Sequence, residues 1–343
     1  MKHFSFLVAA ALLFTTSCSP AGPQTLTVMT HSSFAVSEDV IKSFEQANNA
    51  KVTFLQSGDA GEMLNKAILT KDSPLADVLF GVDNTFLSRA LNADIFESYP
   101  SAALDRVGDE FKLDDSHRAT PVDFGDVCVN YDKKYFADHQ LTAPGSLEDL
   151  AMPQYKDLLV VENPATSSTG LAFLLATRAH FGEDYLTYWK SLKENGVAVV
   201  DGWETAYYTN FSGSSGHGPQ PLVVSYGSSP AAEVVFAETP VTDAPTASVI
   251  GPDTCFRQIE FVGILRGTKQ RGLAEKFIDF MLSRQFQQDM PLQMFVYPVD
   301  PGTPLPEAFT KYAQVPAQPA MLAPDEIAAN RDAWIEAWAQ AMK

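Results

Sequence analysis

Four hydroxyls precede a glycine in Thr166-Ser167-Ser168-Thr169-Gly170. The segment lies between an apolar run and a stretch with helical character. Free backbone N–H groups at a helix N-terminus, the helix dipole and hydroxyl donors together suit an anion. One hydroxyl is enough to cap a helix, so the surplus favours an anion site over simple capping. A second group is aromatic. Trp203 follows Gly202, Tyr207 and Tyr208 come one turn later, Tyr226 precedes Gly227, and Phe295 lies in Met294-Phe295-Val296-Tyr297-Pro298. Aromatic faces hold cationic rings by stacking and cation–π attraction. Any one of these rings alone would read as core; several beside predicted loop ends point to a ligand wall. Asp59 sits on a predicted loop, where it could accept a hydrogen bond from a ligand amine or offset its charge. A capping or solvent-facing aspartate is the plainer alternative.

No catalytic constellation accompanies these groups. The chain lacks G-x-S-x-G, H-E-x-x-H and a dinucleotide glycine fingerprint. Its six histidines, His3, His31, His117, His139, His180 and His217, form no ligand-spaced pair. No catalytic residue, metal site or cofactor is therefore assigned, and the chain is read as a binding protein, not an enzyme. Ser212–Gln220 is glycine- and serine-rich but lacks the phosphate-loop pattern, and reads as a surface turn. Cys128 falls inside an apolar strand pattern, which favours a buried, inert residue over a nucleophile.

These residues must be positioned by an α/β framework. Leu26–Met29, Val52–Leu55 and Asp77–Phe80 read as strands. Helical stretches run from a Ser37 N-cap to about Asn48, around Leu64, Ala67 and Ile68, and over Thr85–Leu91. Strand–helix alternation predicts a parallel sheet with crossover helices, and ligands bind beyond the carboxyl ends of such strands. The loops there, Thr30–Phe34, Gln56–Gly61 and Gly81–Asn84, are small and polar. The second half repeats the logic. Strands are expected at Val127–Tyr131, Leu158–Val161, Val197–Val200, Leu222–Ser225 and Cys255–Gly263. Helices are expected at Leu171–Phe181, Gly182–Asn195 and, with loop, Gly202–Phe211. The tail Pro324–Met342 reads as a helix with Ile327, Arg331, Trp334, Ile335 and Trp338 on one face, packing onto the body.

The first eighteen residues end in a cysteine. Lys2 and His3, the apolar run Phe4–Phe14 and then Thr15-Thr16-Ser17-Cys18 make a secretory signal, too short to span a membrane. Small residues converging on Cys18 favour lipidation there over ordinary cleavage, although Thr15 stands where leucine is usual. The mature chain is then an exported body tethered by acyl chains, periplasmic or at the cell surface. With 42 acidic and 24 basic residues the net charge is −18. That argues against nucleic acid, which requires a basic footprint, and mildly favours cationic ligands, although solubility accounts for much of it. A hydrophobic content of 45% and 22 prolines fit a globular chain of about two domains. Cys128 and Cys255 remain after cleavage. Geometry decides their state; two buried thiols are expected ahead of a disulfide.

The stretches "LTVMTHSSFA", "ADVLFGVDNTFL", "TPVDFGDVCVNYDKK", "NPATSSTGLAFLL", "GWETAY", "LVVSYGSSPA", "MFVYPV" and "APDEIAANRDAWIEAW" follow one another along most of the mature chain. In them the sequence resembles the thiamine-binding subfamily of ABC-transporter solute-binding proteins. "VDFG…YDK" is shared by relatives that bind other solutes, whereas "GWETAY", "SYGSSP" and "RDAWIEAW" are more specific. The resemblance implies a two-lobe α/β fold of the type II periplasmic-binding kind, two mixed sheets flanked by helices around a hinged cleft. It implies a signal peptide at 1–18, a linker at 19–25, a first lobe of 24–124 plus 256–300, and a second of 125–255 plus 301–343. Crossings fall near Asp123–Gly125 and Cys255–Gly263; cysteines on neighbouring hinge strands would, if bonded, stiffen the hinge. By the same resemblance Trp203 and Tyr226 hold the rings of thiamine, and Thr166, Ser167 and Ser168 face its phosphate. Asp59 faces the aminopyrimidine. Phe295 stands where the family more often has tryptophan, His31 where it has tyrosine, and Ala232 replaces another aromatic. The implied partners are thiamine or its phosphates, permease and ATPase subunits and, through the anchor, the membrane; the implied state is a monomer. The rival of the same fold is a ferric-iron binder, because adjacent Tyr207 and Tyr208 resemble paired tyrosine ligands. Packing on a helix explains them equally.

Overall fold

The computed structural model describes residues 22–213 and 216–343. The signal-like segment, Cys18 and the start of the linker lie outside those residues. Among the described residues eleven strands are formed: β1 (Gln24–Thr30), β2 (Ala50–Gln56), β3 (Val78–Asp83), β4 (Phe96–Glu97), β5 (Thr120–Asp132), β6 (Leu159–Glu162), β7 (Ala198–Val200), β8 (Leu222–Tyr226), β9 (Thr246–Val249), β10 (Phe256–Leu265) and β11 (Tyr297–Pro298). They pair in the order β2-β1-β3-β10-β5-β8-β6-β7, with β4 on β10 and both β9 and β11 on β5. The α/β class expected from strand–helix alternation is present. The strands form one mixed sheet of eleven, in which β5 and β10 link the two groups of strands expected as two sheets.

Those two strands are the longest, and their residues explain their place. β10 is buried along nearly its whole length and β5 along most of its own, so both carry near-continuous apolar runs punctuated by a few acids and amides. β10 runs antiparallel to both β3 and β5. The first part of β5 pairs with β10 and β11, and the second with β8 and β9. Each strand thus connects the β2-β1-β3 half to the β8-β6-β7 half. Phe256 lies opposite Val127, which brings the next residues, Cys255 and Cys128, face to face. They form a disulfide with a Cα separation of 4.3 Å across a sequence separation of 127. This corrects the expectation of two free buried thiols. The register of two distant strands decides the matter, and no local pattern reports it.

Apolar burial holds the halves together. One cluster gathers Leu26, Val28, Phe44, Val78, Phe80, Phe277 and Phe286 behind β1 and β3. A larger one runs from Met29, Leu64 and Phe86 to Leu174, Trp189 and Trp338. The helix Ser168–Phe181 lies in the larger cluster, with ten consecutive buried residues from Ser168 to Thr177. Such a helix has no solvent face, and its N-terminus is aimed where the two halves meet. The tail helix Pro324–Ala341 packs as expected. Trp338 meets Trp189 edge-on at 5.6 Å, and the Arg331 guanidinium lies 5.7 Å over Phe86. Ser37 occupies the N-cap of helix Glu38–Asn48, but its hydroxyl binds Asp289 instead of capping. Among the described residues no helix is long and apolar enough to cross a membrane.

Candidate functional site

A cavity of about 520 Å³ lies where the two halves of the sheet meet. Its walls come from the turn after β1 (His31–Ala35), Asp59 after β2 and the first residues of helix Ser168–Phe181. Trp203–Tyr208, the end of β8 with the following helix, Glu260 of β10 and Gln293–Val296 complete it. Two of the three polar strand-exit loops therefore reach it. The third does not line the cavity: β3 runs on to Asp83, whose side chain is buried against Thr85 and Gln258.

The aromatic wall is built on short-range geometry. Trp203 stacks on Tyr207 with centroids 5.0 Å apart at 20°, and Tyr208 meets it edge-on at 5.5 Å. The Trp203 indole donates to Ser225 Oγ at 2.9 Å, which fixes the ring plane. Tyr226 donates to Gln258 at 2.8 Å. A Cβ at Gly125 would lie 2.8 Å from the Tyr226 ring, so that glycine makes room for it. Phe295 packs at 61° on Phe236 with centroids 5.0 Å apart. It holds φ at 54°, a left-handed backbone that costs a bulky residue about 1–3 kcal/mol and occurs preferentially at functional sites. Gly81, at φ 103°, leaves space that a Cβ would take from the His31 ring at 2.3 Å.

Among the described residues four acids line the cavity, Asp59, Glu204, Glu233 and Glu260, and no lysine or arginine does. Asp59 Oδ1 accepts the N–H of Ala60 at 2.6 Å as the N-cap of helix Ala60–Leu69, and Oδ2 accepts the N–H of Trp203 at 3.1 Å. Glu233 accepts the Tyr207 hydroxyl at 2.7 Å. His31 Nε2 lies 3.4 Å from Glu260. Burial is the largest single influence on His31 and disfavours its charge. Glu260 beside it, with Asp59 and Glu204, outweighs burial and lifts its pKa above the ordinary value. Glu260 stands opposite Asp83 on β3 and Asp123 on β5. Burial raises both, Asp83 to about 7 and Asp123 well above the usual carboxylate range, with Glu260 adding to each.

Of the residues singled out in the sequence, the cavity brings together His31, Asp59, Ser168, Trp203, Tyr207, Tyr226 and Phe295, with Thr169 beside them. It does not bring in Thr166 or Ser167. Thr166 Oγ1 donates to the Asp201 carbonyl at 2.6 Å, and its own carbonyl accepts the Gly61 N–H at 3.1 Å. Ser167 is fully buried, with its hydroxyl 3.0 Å from that of Thr169. The anion site expected of this loop is thus reduced to its last two hydroxyls. Asp59 faces the cavity with both oxygens already engaged by backbone. Sequence reasoning missed Glu204, Glu233, Glu260, Ser229 and Phe236. Glu260 had a signal: Gln258 and Glu260 stand two apart in a strand that is apolar apart from them and Arg257, which places both on one face.

The model of the bacterial extracellular solute-binding protein family matches residues 73–329. The thiamine-binding periplasmic protein of Salmonella typhimurium is 31% identical over 322 residues, covering 92% of this chain and 93% of that protein. A solved periplasmic thiamin binding protein superposes with a TM-score of 0.83 at 29% identity, covering 94% of this chain and 97% of its own. The ferric binding protein from Campylobacter jejuni superposes with a TM-score of 0.73 at 18% identity, covering 92% and 99%. At that identity the likeness is one of fold.

Proposed function

The chain belongs to the bacterial extracellular solute-binding protein family, and we propose that within it this protein binds thiamine or a thiamine phosphate ester between two lobes. The observation that carries the reading is the cavity itself: a wall of stacked aromatic rings with four acids and no lysine or arginine in the lining. Thiamine carries a permanently charged thiazolium ring and a flat aminopyrimidine. The first suits aromatic faces in an acidic cavity, and the second suits a slot between rings with hydrogen-bond acceptors at its edge. Trp203, Tyr207, Tyr226 and Phe295 are assigned to the rings. Asp59, His31 and Ser168 are assigned to the polar edge. The 31% identity to a thiamine-binding periplasmic protein and the superposition on a periplasmic thiamin binding protein support this ligand.

The lobes of this proposal are residues 24–124 plus 256–300 and residues 125–255 plus 301–343, with β5 and β10 as the hinge. Binding closes them by hinge motion, and the closed form docks on the permease of an ABC importer. The ligand is released unchanged, so the protein is a receptor and not an enzyme. It acts as a monomer outside the cytoplasm, held to a membrane by acyl chains on Cys18.

Ferric iron is the weaker reading. The Tyr207 hydroxyl is donated to Glu233. Burial, then Glu233, raises the Tyr207 pKa well above the usual phenol value, the reverse of what a tyrosinate ligand requires. Titration calorimetry of the ligand-stripped mature protein with thiamine and its phosphates is the test. One-to-one binding weakened by Trp203→Ala supports the receptor. Absence of heat with every thiamine form, together with a visible charge-transfer band on adding ferric citrate, would transfer the assignment to iron.

A further inference from the structure

We propose that Glu260 is the counter-ion of the bound thiazolium and makes the cavity choose a cationic ring over a neutral one, with Asp123 behind it as its positioning residue. The inference rests on the thiamine reading above and adds the residue that reads the ligand's charge. Of the four acids in the lining, three are engaged or screened. Asp59 gives one oxygen to the Ala60 N–H and the other to the Trp203 N–H. Glu233 accepts the Tyr207 hydroxyl at 2.7 Å. Glu204 is exposed, with Ser33 Oγ 3.5 Å away, so water screens its charge. Glu260 is buried, and among the described residues no backbone N–H, amide or hydroxyl donates to its carboxylate. His31 Nε2 approaches it at 3.4 Å without hydrogen-bond geometry. A buried charge acts through a lower dielectric than an exposed one, so Glu260 is the acid that a cationic ring in this cavity feels most.

Asp123 stands opposite Glu260 across the β5–β10 ladder, and directly opposed side chains share a face of the sheet. It is fully buried, and among the described residues neither of its oxygens has a donor. Asp83, opposite Glu260 on β3, is better supplied, by Gln258, Thr85 and the Phe86 N–H. Burying an ionised carboxylate without donors is far more costly than burying the neutral acid. Asp123 is therefore the member of the row that keeps its proton most firmly, as its strongly raised pKa agrees. Its O–H is donated to the facing acceptor, Glu260. A negative charge is thereby fixed on Glu260, the member of the row that lines the cavity. Asp123 does not line the cavity and acts through Glu260.

The probe is the neutral analogue of thiamine in which carbon replaces the thiazolium nitrogen, leaving a thiophene of the same shape. Titration calorimetry of the mature protein with thiamine and with this analogue should show a preference for thiamine of at least about tenfold, the size of a close buried charge pair. Glu260→Gln removes one charge from a crowded acidic row. It should lose most of that preference by weakening thiamine while leaving the analogue nearly unchanged, and Glu204→Gln should lose less of it. Asp123→Leu should lower the preference several-fold, and Asp123→Asn, which keeps a donor for Glu260, should recover most of what leucine loses. Three outcomes overturn the inference and leave thiamine binding in place: a wild-type preference below tenfold, equal weakening of both ligands in Glu260→Gln, or equal preferences in Asp123→Leu and Asp123→Asn. Binding of neither ligand overturns the thiamine reading and this inference with it.

Discussion

The carboxylate of Asp59 accepts the backbone N–H of Trp203 at 3.1 Å across 144 positions of sequence. The same carboxylate caps helix Ala60–Leu69, and two residues on, Gly61 N–H donates to the Thr166 carbonyl at 3.1 Å. A short segment after β2 therefore fastens the two sides of the cavity by backbone contacts independent of any apolar packing. Asp59→Ala removes both the cap and the bridge. Loss of an N-cap costs about 1 kcal/mol, which urea unfolding will read. Affinity for thiamine should fall in addition, because Asp59 bridges to the Trp203 backbone on the facing wall of the cavity, whereas Asp59→Asn keeps an acceptor and should fall less. Equal affinity in wild type and Asp59→Ala would remove the bridge from the binding account.

Trp203 offers a graded test of the aromatic wall. Its ring stacks on Tyr207 and its N–H reaches Ser225 at 2.9 Å. Trp203→Phe keeps a stacking face and loses one hydrogen bond, a change of about 1 kcal/mol. Trp203→Ala also removes the face over the cation, worth about 2 kcal/mol when desolvated. Thiamine titrations should show about fivefold weakening for the first and more than about thirtyfold for the second. Identical losses would mean that the hydrogen bond, not the ring, carries the contribution.

The disulfide predicts a large stability effect and a small effect on binding. Closing a loop of 127 residues restricts the unfolded chain by about 5 kcal/mol in the chain-entropy account. Cys128→Ala with Cys255→Ala should lower the unfolding free energy by several kcal/mol and retain thiamine binding, since neither cysteine lines the cavity. Alkylation of the denatured, unreduced protein followed by peptide mass spectrometry should leave both cysteines unlabelled. Labelled Cys128 and Cys255 would refute the pairing.

The cysteine pair also marks where sequence reading stops. Strands β1, β2, β3, β6 and β8 were legible because apolar runs bounded by polar turns depend on local chemistry, and each falls within a few residues of its expected place. The tail helix was legible from the spacing of Ile327, Arg331, Trp334 and Trp338. What could not be read is set by register between distant strands: the meeting of Cys128 with Cys255, and the row that places Glu260 between Asp83 and Asp123. The hydroxyls of Thr166 and Ser167 failed for a related reason. Residue type shows that a group can bind an anion; only the fold shows that the Asp201 carbonyl and Thr169 reach those hydroxyls first.

The acidic row Asp83, Glu260 and Asp123 predicts a dependence of stability on pH. Asp83 is buried, and burial raises its pKa to about 7 despite hydrogen bonds from Gln258, Thr85 and Phe86, with Glu260 adding to the rise. An unfolded aspartate titrates near pH 4. Between about pH 4 and 7 the folded chain therefore holds a proton that the unfolded chain has lost. Stability contributed by Asp83 is full below pH 4, falls as pH rises to about 7, and is flat beyond. His31 acts in the same direction over a higher window. Its raised pKa gives a contribution that is full below the unfolded value near 6.5 and is lost as pH rises through the folded one. Asp83→Asn stays neutral in both states, so its unfolding free energy should fall less than that of wild type between pH 5 and pH 8. Urea titrations at those two values decide it: parallel losses in the two proteins would show that Asp83 ionises in the folded chain as freely as in the unfolded one.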